Sequence, residues 1–139
     1  MPERSYLLDT NTLSDLIRRP QGRIADKLAE VGENRVVTTI VVACELRYGA
    51  AKRGSKRLTR QVEAVLGAIP VLPLEPGIDR HYAAIRAALE KRGTPIGAND
   101  LLIAAHARTL RAVCVTANVA EFSRVTGLKV QNWLDSLPG

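Results

Sequence analysis

Aromatic side chains are nearly missing: one Trp, one Phe and three Tyr make up 4% of the 139 residues. That scarcity argues against a stacking platform that would read single-stranded nucleic acid base by base. It also demands an aliphatic core, and hydrophobic residues still reach 46%. Only two cysteines occur, Cys44 and Cys114, both in apolar runs far apart in the chain. With no C-x-x-C and no Cys/His ligand spacing, zinc is disfavoured and two buried, reduced thiols are expected. His81 and His106 share no helical spacing with an acid and read as structural or solvent-facing. The longest near-continuous apolar stretch, 36–44, holds two Thr and is far too short to span a bilayer. The N-terminal MPERSY is charged but leads into no leader-type apolar region. A cytoplasmic protein with no membrane partner is the expectation.

What is present points to an α/β chain. The length suits a single domain, 1–139, that buries roughly two-thirds of its unfolded surface. Tyr6, Leu7 and Leu8 fit a strand buried on both faces of a sheet. Apolar positions at helical spacing predict helices over 11–18, 22–31 and, from the Thr39 cap, 40–54. Ser55 caps a fourth helix, on which Leu58, Val62, Val65, Leu66 and Ile69 form one stripe. Pro76 fits the first turn of a fifth, and Ala98 to Leu110 make a sixth. Strands are expected at 36–38, 71–74, 112–115 and 130–133, with 116–122 a polar turn or short helix. Strands alternating with helices imply right-handed crossovers. The fold class is therefore a three-layer α/β/α sandwich around a mostly parallel sheet of four to five strands.

Chemistry gathers where strands end. Asp9 stops the first apolar run, at the carboxyl end of a buried strand, where open α/β sheets place ligands. It also has the makings of a helix cap. Glu45 sits among Val41, Val42, Ala43, Cys44 and Leu46, a setting costly for a lone carboxylate. Asp100 lies near the start of a helix too apolar to be exposed, just past its cap. Asn118 and Glu121 follow the 112–115 strand, although turn formation alone also explains such residues. All of these fall on one edge of the sheet. Carboxylates crowded there would repel one another unless a divalent cation sat between them, and oxygen-only ligands point to Mg²⁺, with Mn²⁺ as a substitute.

Four blocks carry a resemblance: LLDTNTLSDL, TIVVACELRYG, GTPIGANDLLIAAHA and VTANVAEFSRVTGLKVQNW. In this order, and over nearly the whole chain, they resemble PIN-domain ribonucleases of the VapC toxin type. The resemblance implies a PIN-like fold and a Mg²⁺-dependent endoribonuclease, the toxin of a toxin–antitoxin pair. It further implies a VapB-type antitoxin as partner and a homodimer. Asp9, Glu45 and Asp100 are then the metal-binding acids. Many relatives carry Asp where this chain has Asn118, which leaves the second metal position open: Glu121 supplies it or orients the attacking water, or the site holds one tight ion. Thr10, Asn11, Thr116 and Asn118 suit the role of fixing these ligands or phosphate oxygens.

Between 47 and 60 stand six basic residues (Arg47, Lys52, Arg53, Lys56, Arg57 and Arg60) and no acid. With a net charge of +6, they are candidates for a groove that binds RNA phosphates. Two solvated helix faces would look the same in sequence. Folded RNA recognised by shape suits such a surface better than base-by-base reading. Two rivals remain. One is an inactive module of the same fold that binds RNA or protein, against which three intact acids argue. The other is an aspartyl phosphatase, which lacks its second Asp because Asn11 stands there.

Overall fold

The computed structural model describes residues 5–134; the N-terminal residues read for a leader, 1–4, lie outside that range, as do 135–139. Strands β1 (Tyr6–Leu8), β2 (Val36–Thr39), β3 (Val71–Leu72), β4 (Val113–Val115) and β5 (Val130–Gln131) form one sheet in the order β3-β2-β1-β4-β5. Every pairing is parallel. Helices α1 (Thr10–Arg18), α2 (Arg23–Val31), α3 (Ile40–Arg53), α4 (Lys56–Ala68), α5 (Ile78–Lys91), α6 (Ala98–Leu110) and α7 (Val119–Phe122) flank it. Among the described residues, no helix is long and apolar enough to cross a membrane.

Parallel strands covered on both faces need no polar side: β1 and β4 are short blocks dominated by Leu, Val and Cys, and β2 adds two buried Thr to its Val pair. Leu7, Leu8, Cys114 and Val115 are wholly buried. Of the rare aromatics, Phe122 is wholly buried in this aliphatic core, and Trp133 packs its ring 5.3 Å from that of Tyr6. Helix starts follow local chemistry. The Thr39 hydroxyl accepts from the Val41 N–H and the Ser55 hydroxyl from the Leu58 N–H, at 3.3 and 3.0 Å. Gly54, at φ 64°, takes the left-handed turn that ends α3.

Several boundaries differ from the sequence expectation. β3 stops at Leu72 because Pro73 has no N–H for the ladder, and Leu74 beyond it is exposed. β5 is likewise two residues, not four. α5 begins at Ile78 behind Gly77, whose φ of 110° turns the chain, so Pro76 precedes the helix instead of opening it. Cys44 is the larger correction: it is exposed, whereas Cys114 is buried as expected. α3 is apolar on nearly every face, and Cys44 lies between Ile40 and Tyr48 on a side left exposed among the described residues.

The sheet order also fixes where a ligand belongs. From β1 the chain crosses to β2 on one side, and β4 pairs with β1 on the other. The crevice at the carboxyl ends of β1 and β4 is therefore the switch point of the sheet. Asp9 follows β1 there, and Thr116 follows β4.

Candidate active site

Asp9 is both a cap and a site residue. Its carboxylate accepts the Thr12 N–H at 2.9 Å, which starts α1, and only 4% of its surface is exposed. Burial pushes its pKa up, while hydrogen bonds from Thr116 and Thr12 pull back and the charge of Glu45 adds to the rise. Thr116 is well set for this: its hydroxyl accepts the Asn118 N–H at 2.9 Å, which frees its proton for Asp9. Thr12 also donates its hydroxyl to the Val115 carbonyl, tying α1 to β4 at 3.1 Å.

Glu45 reaches in from α3. Its carboxylate accepts the Thr10 hydroxyl at 2.5 Å and the Asn99 amide at 3.3 Å, so it bridges α1 and α6. α3 is held at its root by a buried pair, in which His106 Nδ1 lies 2.7 Å from the Thr39 hydroxyl. Burial lowers the pKa of that imidazole. This gives His106 the structural role expected of it, and His81 has one too, accepting from Arg108 Nε at 2.9 Å.

Asp100, in the first turn of α6, is half-buried, and its pKa is pushed up to about 7. Burial is the main cause, followed by its hydrogen bond to Glu121 and the charges of Glu121, Glu45 and Asp9. Glu121 moves the opposite way. Burial would raise it, but the Gly97 N–H at 3.2 Å, Asp100, the Asn118 amide and Arg124 together hold it low. The two shifts run in opposite directions, so Asp100 is the member of the pair that holds a proton more readily and Glu121 the one that ionises more readily.

The four acids thus belong to one electrostatic neighbourhood, drawn from four separate segments. Among the described residues, no three of His, Cys, Asp and Glu close into a finished ligand cage. Three of the four have turned to neutral donors instead: Thr12 and Thr116 for Asp9, Thr10 and Asn99 for Glu45, Gly97 and Asn118 for Glu121. That is how like charges relax when nothing positive lies between them. The four side chains offer only oxygen, and burial, the Glu121 hydrogen bond and the neighbouring negative charge together push the pKa of Asp100 up to about 7. Such a set of oxygen donors fits a hard divalent cation, which would compete with the proton on Asp100.

Other expected residues fall differently. Asn11 stands exposed on α1, with no hydrogen-bond partner among the described residues. The six basic residues border different features of the surface. Arg47 is spent on Glu63 of α4, in a two-pronged pair at 2.9 and 2.8 Å that lies just past the stretch free of acids. Arg53 lines a groove that also holds Glu45 and Thr10. Lys56 and Arg60 border a separate shallow depression, and Lys52 and Arg57 are exposed. Sequence reasoning passed over Thr12, Asn99, the Gly97 N–H and Arg18, which lines the groove with Arg53. Asn99 carried a signal, since an amide beside a site acid is well placed to orient a neighbouring ligand. A backbone N–H carries none.

Away from the acids, an apolar cleft of about 420 Å³ opens between α1, α2 and α4, lined by Leu16, Leu28, Val65 and Ile69 among others.

Comparison with known proteins bears on this arrangement. Residues 6–128 match the model of the PIN domain family. The chain is 37% identical to ribonuclease VapC2 of Haemophilus influenzae over 130 residues, 93% of this chain and 98% of that protein. It is 33% identical to the tRNA(fMet)-specific endonuclease VapC of Salmonella typhimurium, covering 92% and 97% of the two chains. Among solved structures, VapBC-1 from nontypeable Haemophilus influenzae superposes with a TM-score of 0.83 at 37% identity, over 94% of this chain and 98% of that one. VapBC2 from Rickettsia felis, bound to a promoter DNA fragment, gives 0.84 at 31% identity, over 92% and 98%.

Proposed function

The chain belongs to the PIN-domain family, in its VapC ribonuclease branch, and from that premise we propose that it is a metal-dependent endoribonuclease, the toxin of a toxin–antitoxin pair. The observation that carries this reading is Asp100: a carboxyl pushed up to about 7, partly by acids that come from three other segments. Asp9 and Asp100 would hold Mg²⁺ (or Mn²⁺) directly, with Glu45 as ligand directly or through water. When bound, such an ion neutralises charge on the scissile phosphate and makes water a competent nucleophile at neutral pH. Glu121, held anionic by its donors, is placed to orient that water or to bind a second ion. Thr10, Thr116, Asn118 and Asn99 fix the acids in position. Hydrolysis forms a bond from water oxygen to phosphorus and breaks the bond to the 3′ oxygen, which leaves as a hydroxyl. The products are a 5′-phosphate and a 3′-hydroxyl end.

The partners follow the same reading. RNA is the substrate, which puts the work of this protein in the cytoplasm. A VapB-type antitoxin is the natural occupant of the apolar cleft between α1, α2 and α4. A homodimer would cover Ile40, Cys44 and Tyr48, an exposed apolar stripe along α3. Three acids with supporting hydrogen bonds speak against an inactive binding module.

Asp9→Ala and Asp100→Ala should each lower Mg²⁺-dependent cleavage of a tRNA pool by about a hundredfold or more, beyond the loss usual for residues that only orient a ligand. Circular dichroism would verify that each variant folds. Undiminished cleavage by a folded variant would remove the assignment.

A further inference from the structure

The groove that holds Glu45 and Thr10 continues away from the acids, and its walls repeat at helical spacing. α1 contributes Thr10, Ser14 and Arg18, and α3 contributes Glu45, Gly49 and Arg53. Each series steps by four residues, so each lies along one face of its helix. At 1.5 Å of rise per residue, each arginine stands about 12 Å from the acid end. The groove has a volume of about 210 Å³, and among the described residues the charged ones lining it are Glu45, Arg18 and Arg53.

Both arginines have charge to offer. Arg53 has no acidic partner among the described residues. Asp15 is taken by Arg19 at 2.5 Å, while Arg18 keeps 3.9 Å from it and stays largely exposed. Gly49 is unexpected inside a helix, where glycine costs about 1 kcal/mol relative to alanine. Packing does not require it: a Cβ there would meet nothing within 4 Å. Any longer side chain at 49 would stand in the groove.

We infer that this groove is the track for the RNA strand next to the scissile bond, with Arg18 and Arg53 gripping a phosphate about two nucleotides away and Gly49 keeping the passage open. The inference rests on the nuclease reading and adds to it the path of the substrate. It separates Arg53 from the other basic residues of 47–60 and brings in Arg18.

The test uses the full chain and a mixed tRNA pool. Binding is measured in EDTA across a salt series, and cleavage is measured with Mg²⁺. Arg53→Glu and Arg18→Glu should each weaken binding by about tenfold or more and flatten its log–log salt dependence by about 0.7–0.9 per lost phosphate contact. Lys91→Glu, the same charge change on the exposed side of α5, should do neither. Gly49→Leu should cut cleavage by about tenfold or more while melting at or above the wild-type temperature, because leucine is the better helix former. If wild type cleaves RNA while Gly49→Leu and Arg53→Glu behave as wild type, the track is wrong and the nuclease stands. If wild type does not cleave but Arg53→Glu still weakens RNA binding, the nuclease reading fails and the track survives as a binding groove. Should Gly49→Leu disturb only the binding of a co-expressed antitoxin, the groove belongs to that partner and the inference is overturned.

Discussion

α3 and α6 each deliver one acid to the site, and in sequence both read as apolar nearly throughout, yet they are built into the molecule in opposite ways. α6 is covered on both sides: Leu101 and every residue from Ile103 to Ala107 are buried between the sheet and α5. α3 buries Val41, Val42, Ala43, Leu46 and Ala50 but leaves Ile40, Cys44 and Tyr48 outside, Tyr48 being 66% exposed. The difference decides how each acid is fixed. Asp100 has a short side chain on a helix covered on both sides, and burial together with the neighbouring acids pushes its pKa up to about 7. Glu45, longer and on a one-sided helix, is steered by the Thr10 hydroxyl and the Asn99 amide. A rigid acid and a steered acid are what a site needs if it must open to admit an ion and then close on it.

The largest expected contrast between the two helices is in stability. Ile103→Ala should cost about 2–5 kcal/mol in urea unfolding, the range for emptying a packed core position. Tyr48→Ala should change stability by no more than about 0.5 kcal/mol in dilute protein, as for an ordinary surface site. If the α3 stripe is the homodimer contact, the cost of Tyr48→Ala will grow with protein concentration, because assembly is linked to folding. Equal costs at both positions would erase the distinction.

Metal should act on both acids at once. Mg²⁺ at a hundred times its Kd should stabilise the fold by roughly 3 kcal/mol, seen as a rise in melting temperature. Asp100 keeps a proton up to about pH 7, and the ion must displace it, so the rise should be larger near pH 8 than near pH 6. A melting temperature indifferent to Mg²⁺ at both pH values would sink the shared site.

The same contrast explains what was legible in the chain. Alternating strands and helices, the Ser55 and Thr39 caps and the positions of Asp9, Glu45 and Asp100 all follow from local pattern, which periodicity and strand ends report directly. The outward face of α3 does not: with apolar residues all round, Val42 and Cys44 look alike until neighbouring elements choose a side. Glu63 was equally hidden. It meets Arg47 only because α4 folds back along α3, and no local rule places residues on neighbouring helices side by side. The groove past Glu45 was half-legible. Arg53 stood out as part of a basic stretch, whereas Arg18 looked like the end of a helix.

The smallest effect is also the most diagnostic of crowding. In the metal-free protein Asp100 titrates near 7 in the fold against an ordinary 3.8. Between those values the native state keeps a proton that the unfolded chain has lost, so stability is greatest on the acid side and falls as pH rises through about 4 to 7. Burial shifts Asp9 in the same direction. Asp100→Asn keeps the shape of the protonated acid, and its amide can still donate to Glu121, but it cannot ionise. In EDTA above pH 7 it should therefore melt above wild type, by about 2–4 °C once solvent access to a half-buried group is allowed for. Near pH 4 the two should coincide, since wild type is then protonated as well. Adding Mg²⁺ near pH 8 should reverse the order, because wild type gains a ligand that the variant has lost. A variant that melts below wild type in EDTA at every pH would mean that Asp100 is held by favourable contacts and not crowded by its neighbours.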